Sequence, residues 1–83
     1  KLNPGDYLLR LNYLKRSTSE ALISTLSRHF ELDINILFGN IELIDGNPLG
    51  GLVVIAGGGH DKVTAATGYL SQRNVLVEVI SHG

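Results

Sequence analysis

The chain of 83 residues has no cysteine, no methionine and no tryptophan. Without cysteine it can draw on neither a disulfide nor a thiolate-bound metal. It also lacks an excess of either charge. The formal net charge is −1, and the basic residues are scattered, which argues against a nucleic-acid or anionic-lipid surface. Long apolar runs are missing too: the longest, Leu49 to Ala56, falls well short of the roughly 18–20 residues that cross a bilayer. No signal-peptide pattern opens the chain. The absence of methionine extends to an initiator, and the chain begins Lys1-Leu2-Asn3-Pro4-Gly5, which predicts a domain of a longer protein. One domain is the only sensible count. A chain this short buries about 60% of its unfolded surface, so its stability margin is small.

What is present is a 43% hydrophobic composition, enough for a core, arranged with two clear periods. Tyr7, Leu9, Leu11 and Tyr13 alternate with Leu8, Arg10, Asn12 and Leu14, which predicts a first strand over Tyr7 to Leu14. Ser17 and Glu20 have capping-box spacing. Leu22, Ile23, Leu26 and Phe30 follow at helical spacing, so a helix is expected from Thr18 to Phe30. Leu49 to Ala56 reads as a central strand. Val63, Ala66, Thr67 and Leu70 form the inward face of a second helix, Asp61 to Gln72, with Arg73-Asn74 as its stop. Val75 to Ile80 reads as a last strand and Ser81-His82-Gly83 as a tail.

The longest strand-like stretch is Asp33 to Asp45. Ile34, Ile36 and Phe38 share one parity, with Asn35 and Leu37 on the other. Beyond Gly39-Asn40 the apolar set moves to Ile41 and Leu43, so one residue has been inserted. A β-bulge or kink at Gly39 is the expected cause. Asp45-Gly46-Asn47-Pro48 is dense turn chemistry leading into the third strand.

The resulting order, β-α-β-β-α-β, predicts an α+β, ferredoxin-like sandwich: a four-stranded antiparallel sheet with both helices on one face. Right-handed crossovers put the first and third strands in the middle and the second at an edge. The other sheet face, carrying Leu8, Leu14, Asn35 and Leu37, is then left open. An open apolar face and a long bulged edge strand predict homodimerisation through the sheet face or edge.

Catalytic and cofactor chemistry find little support. Gly57-Gly58-Gly59-His60-Asp61-Lys62 precedes a helix but fits neither phosphate-binding fingerprint, and Asp61 would repel an anion there. It reads as a strand-to-helix connection. His29, His60 and His82 have no ligand spacing, so no metal site is expected. The serines have no nearby base. Acylphosphatases resemble this element order and use an arginine in the first loop and an asparagine on the second strand. Arg16 with Asn35 or Asn40 could mimic them, but Leu14-Lys15-Arg16-Ser17-Thr18 lacks the glycine cradle. RNA binding of the RRM type fails because Leu52 to Ala56 has no aromatic to stack a base. What remains is a ligand cradle. Asn35 could meet the carboxylate or amine of a small zwitterion, Ile36, Leu37, Phe38 and Ile41 offer an apolar wall, and an interruption at Gly39-Asn40 frees backbone groups. The bland alternative is an exposed Asn35 and a turn-forming Asn40.

In this stretch the chain resembles a known family. Asn35-Ile36-Leu37, in the context of Phe30, Leu32-Asp33-Ile34 and Gly39-Asn40-Ile41-Glu42, is similar to the NIL domain, named for those three residues. Tyr7 to Leu14, Leu26 to Phe30, Asn47-Pro48-Leu49-Gly50, Ala65-Ala66 with Tyr69-Leu70, and Val75 to Val79 extend the resemblance over nearly the whole chain. Gly57-Gly58-Gly59-His60 and Gly68 depart from the family pattern.

The resemblance implies an ACT-like regulatory domain at the C-terminus of the ATP-binding subunit of a bacterial methionine importer of the ABC class. Two such domains would pair, bind L-methionine, and hold the ATPases apart when methionine is plentiful. Asn35, Ile36, Leu37, Phe38, Gly39, Asn40 and Ile41 would contribute the site. The domain would carry no cofactor and no activity of its own, since it has no Walker motif; ATP and Mg would belong to the upstream domain. Its partners would be a second copy and a transporter permease, at the cytoplasmic face of the inner membrane. The other expectation is a ligand-free dimerisation module, such as the NIL domains of some ferredoxin-like proteins.

Overall fold

The computed structural model describes residues 2–13, 18–44 and 47–83, without the side chains of 18–21, 41–44 and 47–49. The capping box at Ser17, the Lys15-Arg16 loop, Leu14 and the Asp45-Gly46 turn lie outside the described residues. The elements are β1 (Asp6–Tyr13), α1 (Thr18–Arg28), β2 (Asp33–Ile44), β3 (Asn47–Gly57), α2 (His60–Gln72) and β4 (Leu76–His82). They form one antiparallel sheet in the order β2-β3-β1-β4. This is the expected α+β, ferredoxin-like arrangement, with β1 and β3 central.

The core sits between the sheet and both helices. Leu9, Leu11 and Tyr13 of β1 and Val54 and Ala56 of β3 meet Leu22 and Leu26 of α1 and Val63, Ala66 and Leu70 of α2. The alternating strand residues and the i, i+3, i+4 and i+7 helix residues therefore converge on one layer. Leu11, Leu26 and Leu70 are essentially sealed from water, and burying a leucine stabilises by roughly 1.5–3 kcal/mol. Helix α2 stops as anticipated: Asn74 takes a φ of 63°, and the amides of Asn74 and Val75 donate to the carbonyls of Ser71 and Leu70.

Gly68 lies on the exposed side of α2, and a Cβ added there meets nothing within 4 Å. No close packing offsets the entropy that glycine loses on folding. Gly68→Ala is therefore expected to stabilise the domain by about 0.5–1 kcal/mol. In a domain of this size that raises Tm by several degrees, at about 4–8 °C per kcal/mol. Thermal unfolding followed by circular dichroism checks it; an unchanged or lower Tm would show a role for Gly68 that this packing does not contain.

Three expectations are corrected. First, the slip in β2 is at Leu37, not at Gly39-Asn40. Ile36 pairs with Val54 and Phe38 with Val53, so Leu37 is the extra residue. A bulge whose first residue stays in the helical region needs no glycine. Gly39 is small for a different reason: its Cβ would stand 2.8 Å from Leu52 Cδ2. Second, Phe38 consequently leaves the face of Ile34 and Ile36. Third, Ser81 and His82 are not a tail. They extend β4 and pair with Leu8 and Tyr7, past a second irregularity that leaves Ile80 unpaired between Val79 and Ser81.

The glycine-rich connection is tied to the N-terminal turn. The amide of Gly59 donates to the carbonyl of Gly5 (3.2 Å), so that donor is already used within the fold.

Candidate functional site

The sheet face opposite the helices is laid out by register. On β1 the core residues Leu9 and Leu11 leave Leu8, Arg10 and Asn12 on the open side, and on β3 Val54 and Ala56 leave Gly51, Val53 and Ile55 there. Two neighbouring rows cross all four strands. One is Phe38, Val53, Arg10 and Glu78; the next is Asn40, Gly51, Asn12 and Leu76. Directly opposed side chains in such rows lie about 4.5–5.5 Å apart at Cβ.

The second row has a gap in its middle, because Gly51 has no side chain. A Cβ built there would stand 3.1 Å from Asn12 Oδ1 and 3.1 Å from Asn40 Oδ1. Gly51 is the floor of a depression toward which two amide oxygens converge. The cavity, of about 550 Å³, is lined by these three residues together with Arg10, Phe38, Val53, Leu76 and three more residues at its margins. Val53 is only 7% exposed although it belongs to the open face; Phe38 and Arg10 flank it. The walls are more open, with Phe38 59% and Leu76 72% exposed.

The electrostatics are those of one exposed ion pair. Arg10 Nη1 donates to Glu78 Oε1 at 3.2 Å. Such a pair contributes little to folding, so its value lies in where it holds the guanidinium. The arrangement offers two amide oxygens for a cationic group, a guanidinium for an anionic one, and apolar side chains at either edge, Phe38 on β2 and Leu76 on β4. That combination suits a zwitterion with an apolar side chain.

Of the residues singled out in β2, Phe38 and Asn40 line this cavity. Leu37, displaced by the bulge, lines a second cavity of about 500 Å³ with Leu8, Ile55 and Ser81 on the same open face. Asn35 is exposed, opposite Ile55 in that neighbouring row. Ile36 and Gly39 share the core parity, Ile36 at the edge and Gly39 beneath Leu52. Ile41 pairs with Gly50 through its backbone. The structure therefore brings Phe38 and Asn40 together and puts Ile36 and Gly39 on the opposite parity, while for Ile41 it describes the backbone pairing alone. Arg10, Asn12 and Gly51 were not among the expected residues. The available signal was the pair of polar outward positions on β1 and a Gly-Gly step inside an otherwise apolar central strand, where glycine marks close approach.

Two of the three histidines, His60 and His82, lie against Tyr7, and His29 is exposed. His60 Nδ1 is hydrogen-bonded to the Tyr7 hydroxyl at 2.9 Å, and the His82 ring lies 5.6 Å from the Tyr7 ring. Among the described residues no group of three or more potential metal ligands comes together. On the helix side, Arg73 stacks over the Tyr69 ring at 4.6 Å. Among the described residues no helix is long and apolar enough to cross a membrane.

Comparison with known proteins gives this face a context. The chain is 39% identical over 79 residues to the methionine import ATP-binding protein MetN of Lacticaseibacillus paracasei, covering 95% of this chain and 23% of that protein. It is 40% identical over 82 residues to the protein of the same name from Rhodospirillum rubrum, covering 99% of this chain and again 23% of the relative. The chain thus spans about a quarter of the length of these relatives. In fold it is similar to the crystal structure of the C-terminal domain of an ABC transporter ATP-binding protein from Enterococcus faecalis. The TM-score is 0.70 at 22% identity, over 93% of this chain and 86% of that one. The NIL domain family matches residues 7–79, from the second residue of β1 to the middle of β4. The chain belongs to the NIL domain family.

Proposed function

We propose that this chain is an L-methionine-sensing regulatory domain of the ATP-binding subunit of a methionine importer. The observation that carries the reading is the depression over Gly51, where Asn12 and Asn40 face each other beside Arg10, with Phe38 at one edge of the sheet and Leu76 at the other. A methionine would place its ammonium between the two amide oxygens and its thioether chain along Phe38, which neighbours Asn40 on the β2 edge. Thioether sulfur makes favourable contacts with aromatic rings.

The site is open, whereas small-molecule sites commonly bury about 70–90% of a drug-sized ligand. A second copy laid on the same face would supply the cover. Its own open face exposes Leu37 and Phe38, and the flanking edges expose Ile36, Leu76, Val79 and Ile80. Asn35 and Leu37, in the adjacent row, would then reach the ligand or its cover from either protomer. Methionine held between two copies favours the paired state only by as much as it binds that state better. In this reading the pairing restrains the ATPase domains and import falls as intracellular methionine rises. ATP and Mg belong to the remaining three quarters of the subunit, which works with a permease at the cytoplasmic face of the membrane.

Titration calorimetry of the folded domain with L-methionine and a panel of other amino acids tests this. Saturable binding that prefers methionine is expected, and Asn40→Ala should weaken it while leaving Tm within a few degrees. A folded domain that gives no heat at millimolar methionine would favour the ligand-free dimerisation module instead, a reading that the exposed apolar residues on both sheet edges also accommodate.

A further inference from the structure

We infer that Arg10 is the residue that recognises the ligand's carboxylate, and that Glu78 holds it ready and is displaced as its partner when the ligand arrives. This rests on the amino-acid-binding reading above and says which group selects for a free α-carboxylate.

Three observations support it. Arg10 stands one row from the Asn12–Asn40 pair on the same strand face, two residues from Asn12, so an ammonium at the amides leaves the rest of the ligand's head group toward the guanidinium. The contact with Glu78 runs through Nη1 and Oε1 alone at 3.2 Å, whereas a guanidinium offers five donors in a fork matched to a carboxylate. Both side chains are exposed, 48% and 61%, so exchanging one carboxylate for another is not opposed by a packed surround. Glu78 meanwhile keeps a negative charge beside the place where the ligand's carboxylate would sit. It therefore acts against the ligand both as a competitor for Arg10 and by like-charge repulsion.

L-methionine is compared with L-methioninol, which keeps the amine and the thioether chain and lacks the carboxylate. Binding of both is measured by calorimetry on the wild-type chain and on the Arg10→Ala, Arg10→Lys and Glu78→Gln variants, with Tm recorded for each. The wild type is expected to prefer methionine. Arg10→Ala should weaken methionine by about 10- to 100-fold, the range for a hydrogen-bonded charged group, and leave methioninol within about twofold. Arg10→Lys should recover part of the loss, and Glu78→Gln should tighten methionine several-fold without affecting methioninol. Equal wild-type affinity for the two ligands, or an Arg10→Ala loss that is the same for both, overturns the role of Arg10 and leaves the amino-acid site standing. Failure of the wild type to bind either ligand overturns the site itself and this role with it. The wild-type preference and the Glu78→Gln result decide the matter even where Arg10→Ala does not fold.

Discussion

A domain carrying Gly51→Val is expected to stay folded and lose methionine. A Cβ at residue 51 meets Asn12 Oδ1 and Asn40 Oδ1 at 3.1 Å and the Leu11 carbonyl at an ordinary 3.7 Å. The two amides sit at the ends of side chains on the open face and can turn aside. Valine is also favoured over glycine in a strand. Its γ-carbons, however, rise into the depression and fill the place assigned to the ammonium. The loss should be at least about 50-fold in affinity, or roughly 2.3 kcal/mol, with Tm unchanged or raised. Calorimetry and thermal unfolding on the same preparation read both quantities. Retained affinity in the folded variant would mean that the ligand does not sit over residue 51.

Gly50→Ala, one residue earlier, is expected to do the opposite. Residue 50 faces the core, and a Cβ there would stand 2.7, 2.8 and 2.9 Å from Cζ, Cε2 and Cε1 of the Tyr13 ring. Tyr13 is 5% exposed and belongs to the hydrophobic core. A ring that is this deeply buried must shift within the core, or β1 and β3 must separate, to admit the methyl group. Overpacking of this kind costs typically 1–3 kcal/mol, and a domain of this size loses about 4–8 °C in Tm per kcal/mol. A marginal core makes that a large fraction of the total. Circular dichroism melts check it, and a Tm within about 2 °C of wild type would show that the ring yields more easily than its burial implies. On the proposed reading, the Gly50-Gly51 step would serve stability on one side of the sheet and binding on the other. A strand's period of two makes this the direct consequence of adjacency.

The fold was legible because its signals are local and redundant. Alternation at Tyr7, Leu9, Leu11 and Tyr13, and helical spacing at Leu22 and Leu26 and at Val63, Ala66 and Leu70, define the core face without knowledge of any partner. The right-handed crossover rule then leaves little choice of strand order. The slip in β2 was legible only as an interval. Parity changes somewhere between Ile36 and Ile41, and nothing local distinguishes Leu37 from Gly39, because the position is set by how β2 registers against β3. The same dependence on pairing hid half of the candidate site. Phe38 and Asn40 could be read from the strand that carries them, but Arg10, Asn12 and Gly51 join them only through the cross-strand rows. Ser81 and His82 were misread for a related reason: polar residues near a chain end look like a tail until Leu8 and Tyr7 are seen to pair with them.

The most direct measurement is an amide-shift titration of the isotopically labelled domain with L-methionine. Saturable shifts are predicted on the open face, concentrated at Arg10, Asn12, Phe38, Asn40, Gly51 and Leu76, with α1 and α2 unaffected. Shifts that cluster on the helices instead, or a spectrum unchanged at millimolar methionine in a folded domain, would contradict a methionine site on this sheet.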